Sequence, residues 1–170
     1  MLMNALSHPF ENIFITTVSD GPFFIDNLFR RKFAHPAPDH GNSIVCFYRK
    51  NWQEFMPVCY VNFNPFDEVM LGGGATTDVF AFRKMPKHLI SEIKAAGGIY
   101  LQLLRFSIDY FQDDCEAFFG YTADKLALEV DIKAGFEPTK YKNLVVHFHK
   151  PLSSERREFL IDKANSVGPF

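Results

Sequence analysis

Residues 118–150 read FFGYTADKLALEVDIKAGFEPTKYKNLVVHFHK, and the fold is decided in this stretch. The run Glu116-Ala117-Phe118-Phe119-Gly120-Tyr121 is short and apolar, as an internal strand is. Thr122-Ala123-Asp124 then supplies N-cap chemistry for a helix over 125–134, and Gly135 stops it. A second strand follows over 144–149. The unit is strand, helix, strand, with Ala134-Gly135-Phe136 at the turn.

Working outward, residues 12–18 form a first strand, rich in Ile, Phe and Thr. Ser19-Asp20-Gly21-Pro22 opens a helix over 23–33. Pro and Gly make 35–42 a loop. Strands over 43–49, 55–63 and 68–76 are joined by short turns at 50–53 and 64–67, so they form an antiparallel meander. The texture then becomes helical. Residues 86–96 end at Gly97-Gly98, and 99–111 carry apolar residues on most sides, which predicts deep burial. A last helix spans 153–164. The order β, α, β-β-β, α-α, β, α, β, α predicts a mixed sheet with helices on both faces.

The 170 residues favour one domain over 1–170. Hydrophobic residues at 47% and charged residues at 22% provide a core and exclude a disordered chain. Twenty phenylalanines predict many ring contacts. A net charge of −2 argues against nucleic acid, with Arg30-Arg31-Lys32 read as a solvated helix end. No apolar run approaches the ~20 residues that span a bilayer, and residues 1–10 lack the basic-then-apolar pattern of a secretory signal. Cys46, Cys59 and Cys115 are too scattered for a disulfide framework or zinc site; buried hydrophobes in a reducing, cytoplasmic setting is the expectation. His147 and His149 share one strand face without a third ligand, so no metal is expected there.

This order of elements resembles the GNAT superfamily of N-acetyltransferases, as a divergent member. Asp124 falls where that family often has Asn, Ala127 where it often has Ala, and Gly135-Phe136 on its Gly-Phe. The resemblance implies a GNAT-like α/β (α+β) fold: a mixed, mostly antiparallel sheet, splayed between its fourth and fifth strands, with helices on both faces. It implies acyl transfer from acetyl-CoA, or another acyl-CoA, to a primary amine of a small-molecule or protein acceptor. The alternative is a GNAT-like module that binds acyl-CoA or a protein without turnover. Such domains often form homodimers, and the last helix with Phe170 is the segment available for one.

Two positions depart from the pattern. The family's Arg/Gln-x-x-Gly-x-Gly/Ala loop follows its fourth strand directly. Here that strand ends near Gly72-Gly73-Gly74, and the nearest loop is Lys94-Ala95-Ala96-Gly97-Gly98-Ile99. A Tyr often precedes the family's Phe by five residues and is held to protonate the leaving thiolate; that position is Asp131.

The implied chemistry assigns candidate roles. Backbone N–H groups opening helix 99–111 suit a pyrophosphate, with Lys94, Ala96, Gly97, Gly98 and Ile99 around it. Lys94 and Gly97 read equally as an ordinary helix C-terminus, and one glycine pair serves both ends. The triple glycine 72–74 marks a bulge where a cofactor arm approaches, or a flexible turn. Asp124 caps the helix beside the cofactor. Glu68, Asp78 and Glu116 are candidate bases for the amine, each also readable as a surface carboxylate. Tyr121 and Asp131 are candidate acids for the thiolate, Tyr121 also readable as a buried aromatic. The acceptor pocket is expected from the first helix, loop 35–42 and segment 76–85, which carries Phe80, Phe82, Arg83 and Lys84.

Overall fold

The computed structural model describes residues 6–170. Its elements run β1 (Ile13–Val18), α1 (Gly21–Phe33), β2 (Asn42–Asn51), β3 (Glu54–Phe66), β4 (Val69–Thr77), α2 (Val79–Phe82), α3 (Lys87–Ala95), α4 (Ile99–Phe111), β5 (Ala117–Tyr121), α5 (Lys125–Lys133), β6 (Glu137–Pro138), β7 (Leu144–Phe148) and α6 (Ser154–Val167). The seven strands form one sheet in the order β1-β2-β3-β4-β5-β7-β6. All neighbours are antiparallel except β4 and β5, which are parallel.

The expected meander is present, with one change at its second turn. Residues 64–67 were expected to turn; instead β3 continues to Phe66, which faces Val69 across a two-residue loop. Asp67 takes the left-handed conformation that such a loop requires, at φ 48°. Two short elements are additions to the sequence reading: α2, one turn capped by Asp78, and the two-residue β6.

The period of two in β5 sorts its side chains between two faces. Phe118 enters the larger core beneath α4, where its ring meets Phe63 edge-on at 5.6 Å. Ala117 and Phe119 enter the opposite core, closed by Leu160, Ile161 and Ala164 of α6. Helix α1 covers the same side further along, packing Ile25, Leu28 and Phe29 on Val45 and Tyr60. Helix α4 is deeply buried from Ile99 to Phe111, as its composition predicts, with Arg105, Asp109 and Tyr110 left on an exposed side.

The decisive segment folds by its local signals. Asp124 Oδ1 accepts from the N–H groups of Leu126 (2.8 Å) and Ala127 (3.0 Å), opening α5. At the other end Gly135 sits at φ 98°, and the Phe136 N–H donates to the Asp131 carbonyl at 3.0 Å. That left-handed residue turns the chain into β6 and drops Phe136 into the core.

Candidate functional site

Strands β4 and β5 pair from Val69–Ala117 to Gly72–Gly120 and then part. Beyond Gly72, β4 stays bonded to β3 as far as Thr77. Among the described residues its β5-facing edge has no strand partner there, so backbone N–H and C=O groups face an open gap. The expected bulge is present. Asn62 pairs with Gly74 and Phe63 with Gly72, which leaves Gly73 as the extra residue. A Cβ on Gly73 would meet Asn64 Nδ2 at 2.5 Å, so the bulge admits only glycine without rearrangement.

A cavity of about 600 Å³ fills the gap, in the range of small-molecule and cofactor sites. It passes through the sheet. On one face it meets Phe29, Lys32 and His35 at the end of α1; on the other it meets Tyr100, Val130 and Asp131 from α4 and α5. Of the residues singled out in the sequence, Gly72, Gly73, Gly74, Tyr121, Asp124 and Asp131 line it.

The remaining candidates lie elsewhere. Glu68 is bound by Arg156 (2.9 Å) and Lys163 (2.7 Å), and Glu116 by Arg156 (2.8 Å), where α6 is tied to the sheet. Arg31 holds the buried Asp78. These three carboxylates are outside the cavity lining and already paired. Thr76 and Thr77 line the cavity, whereas Phe80 and Lys84 border a separate recess of about 240 Å³ with Arg31 and Asp78.

The glycine pair serves both helices it separates. The Gly98 N–H donates to the Ile93 carbonyl at 2.8 Å and the Gly97 N–H to Lys94 at 3.1 Å, which closes α3. Gly98 is also the N-cap of α4, at φ 89° and ψ 166°, and among the described residues no side chain caps its N–H groups. Lys94, Ala96, Gly97, Gly98 and Ile99 do not line the cavity; Ile99 is buried in the core. The first turn of α4 does reach the cavity, through Tyr100.

Asp131 is 3% exposed and holds two hydroxyl donors. Thr122 Oγ1 donates at 2.7 Å and Tyr100 Oη at 3.2 Å. Burial raises its pKa above the usual carboxylate value, and the Thr122 and Tyr100 donors oppose that rise. Burial also pushes the Tyr100 phenol well above its usual value, with the Asp131 charge adding to it. Asp124 moves the other way, held low by the Ala127 N–H.

Tyr100 was missed in the sequence; Thr122 entered there only as part of a helix cap, and His35 only as the start of the loop expected at the acceptor pocket. Tyr100 reads there as one more large residue on an apolar helix, and its partner Asp131 lies 31 positions away. His35 sits in a loop with two prolines. Its Nδ1 lies 3.0 Å from the Pro36 carbonyl, so Nδ1 carries the proton and Nε2 is free to accept one. The two strand histidines are hydrogen-bonded: His147 Nδ1 to the Gly135 carbonyl at 2.8 Å, and His149 Nε2 to the Gln112 and Cys115 carbonyls at 2.8 and 3.0 Å.

The sheet order, the parallel β4–β5 pair that splays after four residues, and helices on both faces define the GNAT acetyltransferase fold. Among solved structures, the ribosomal-protein-S18-alanine N-acetyltransferase from Escherichia coli matches with a TM-score of 0.55 at 10% identity, over 84% of this chain and 97% of that one. The ribosomal-protein-S5-alanine acetyltransferase from Vibrio fischeri matches with a TM-score of 0.54 at 13% identity, over 86% of this chain and 100% of that one. No protein-family model matches the sequence, and no curated protein matches it. At these identities the likeness defines the fold.

Proposed function

We propose that this chain is an acyl-CoA-dependent N-acyltransferase acting on a primary amine. The observation that carries the reading is the through-sheet cavity at the β4–β5 splay. An acyl-CoA arm bears amides, and the unpaired edge of β4 offers complementary N–H and C=O groups. The opening of α4 supplies uncapped N–H groups and a dipole suited to the pyrophosphate, with Lys94 at the preceding turn.

In this reading the thioester carbonyl lies in the gap beside Gly73 and Gly120. The acceptor amine enters from the α1 face, past Phe29, Lys32 and His35. His35 Nε2 takes the amine's proton, since it lines the cavity and its other ring nitrogen is held by the Pro36 carbonyl. The carboxylates suggested by the sequence are engaged in ion pairs outside the lining, which leaves the role to His35. Both named neighbours act on an alanine of a ribosomal protein, which supports an amine acceptor as the class.

Calorimetry with acetyl-CoA and CoA tests the reading. Saturable binding is the expected result; no binding at millimolar ligand overturns it. Thiol release in the presence of an amine panel then separates a transferase from a module that binds without turnover.

A further inference from the structure

We propose that the acceptor is a peptide N-terminus with an acidic side chain at its second or third residue, and that the recess between α1 and α2 receives that side chain. The inference rests on the acyl-CoA reading and deepens it, because it names the amine that the α1 face of the cavity admits.

Cavity and recess are neighbours along two elements. On α1, Phe29 and Lys32 line the cavity, whereas Leu28 and Arg31 line the recess. At the end of β4, Thr77 lines the cavity, and the next residue, Asp78, lines the recess. The Arg31–Asp78 ion pair therefore stands at the boundary between them. At about 240 Å³ the recess is smaller than the roughly 300–1,000 Å³ of a whole-ligand site. It has room for part of a ligand whose reacting end lies next door. An extended peptide advances about 3.3 Å per residue, so a side chain one or two residues from the amine is the part within reach.

The chemistry of the recess selects an anion. Among the described residues Asp78 is its only acidic lining group, and both carboxylate oxygens are engaged: Oδ2 by Arg31, and Oδ1 by the Phe80 N–H at 3.0 Å. Arg31 gives one N–H to that pair and keeps the others of its fork. Lys84, also in the lining, pairs with no carboxylate among the described residues. Asn27 adds an amide donor. The rings of Phe24 and Phe80, 38% and 58% exposed, offer apolar contact to the methylenes of an acidic side chain. A bare ammonium approaching Lys32, Arg31 and Lys84 is repelled. An acceptor that carries its own carboxylate brings the complementary charge and places it on Lys84 and Arg31.

Thiol release from acetyl-CoA tests this with tetrapeptide amides that begin with alanine. Each carries one glutamate at the second or third position, beside its glutamine and lysine counterparts. The wild type should favour a glutamate peptide over its glutamine counterpart about tenfold in kcat/KM, the worth of one hydrogen bond to a charged group. Lys84→Gln should remove most of that preference. Lys84→Glu should favour the lysine peptide over the glutamate peptide, an inversion that a misfolded variant cannot give. Equal rates for all the peptides in the wild type overturn the inference, as does a glutamate preference that Lys84→Glu leaves unaltered. Free glutamate acetylated as well as the peptides would make the acceptor a small acidic amine and overturn it too. Acetyl-CoA is titrated calorimetrically into the same protein. Saturable binding with no peptide turned over overturns this inference alone; no binding overturns the acyl-CoA reading with it.

Discussion

Gly72 and Gly120 are the last residues at which β4 and β5 pair, and the cavity begins where that pair ends. Neither residue has room to grow. A Cβ on Gly120 would lie 3.2 Å from Val145 Cγ2, and one on Gly72 would lie 3.2 Å from the Phe119 carbonyl. The pair sets both how close the strands come and where they separate.

Gly120→Val should therefore close the apex of the cleft. Val145 must shift by a few tenths of an ångström, an overpacking cost of about 1–3 kcal/mol. Acetyl-CoA affinity should fall more than tenfold by calorimetry, with the far-UV spectrum unchanged. Wild-type affinity in this variant would place the acyl arm away from the splay.

Gly98→Asp separates stability from binding at the opening of α4. A Cβ there meets nothing within 4 Å, so the cost is the strain of φ 89°, about 1–3 kcal/mol. An Asp at this N-cap offsets part of that by capping the free N–H groups, worth about 1 kcal/mol. Its negative charge repels a pyrophosphate. CoA affinity should drop at least tenfold while the melting temperature moves by only a few degrees. Retained affinity would locate the pyrophosphate elsewhere.

His35→Gln tests the acceptor side. Turnover with a competent amine should fall about 10²-fold, the lower end for losing a general base, while acetyl-CoA binding is unchanged. A wild-type rate would assign the amine's proton to solvent.

The parts of this fold legible in the sequence are those written in local signals. Asp124, Gly135 and the apolar run Leu144-Val145-Val146 each act within one or two turns of chain, so α5, its stop and β7 fall where expected. The triple glycine announced its bulge: a Cβ on Gly73 would displace the Asn64 amide, and Gly74 takes φ 140°, where side chains are strained. What the sequence concealed depends on distance. Tyr100 meets Asp131 only because α4 packs beside α5, and no spacing encodes that. Glu68 looked available as a base because nothing near it predicts Arg156 and Lys163, which arrive from α6 nearly ninety positions or more away. Helix α2 and strand β6 are too short to carry a period, at four and two residues.

Asp131→Asn should stabilise the protein at neutral pH. Burial raises the Asp131 pKa, so between the ordinary aspartate value of 3.8 and its folded value the native state binds more protons than the unfolded state. Stability therefore falls as pH rises through that window, and at pH 7 the fold carries the remaining penalty. Asparagine removes the charge, keeps an acceptor oxygen, and offers its amide to the Thr122 and Tyr100 hydroxyls. A gain of about 1 kcal/mol would raise the melting temperature by roughly 2–4 °C. The gain should shrink as pH is lowered toward 4. A variant less stable than wild type at pH 7 would show that the ionised network is worth more than its desolvation.

Arg156 gives the opposite pH signature. Its Nε and Nη2 bond Glu116 at 3.0 and 2.8 Å, and Nη2 also bonds Glu68 at 2.9 Å, so one side chain fastens α6 to the ends of β4 and β5. Arg156 is the main cause of the lowered Glu116 pKa; Lys163 is the main cause for Glu68, with Arg156 a smaller one. A depressed carboxyl pKa stabilises the fold above the unfolded value and ceases to do so as pH falls through the folded value. Melting temperature should thus hold between pH 7 and 5 and decline below the ordinary glutamate value of 4.5. Arg156→Gln should lower the neutral plateau and flatten the acid decline, because Glu116 then titrates near its ordinary value in both states. Lys163 stays on Glu68 and Asp67, at 2.7 and 2.8 Å, so part of the decline should survive. An acid decline identical to wild type would mean that the α6 clasp does not set the acid stability of the fold. Because the clasp anchors β4 and β5 at the end opposite their splay, acetyl-CoA affinity at pH 7 should be little changed in the same variant.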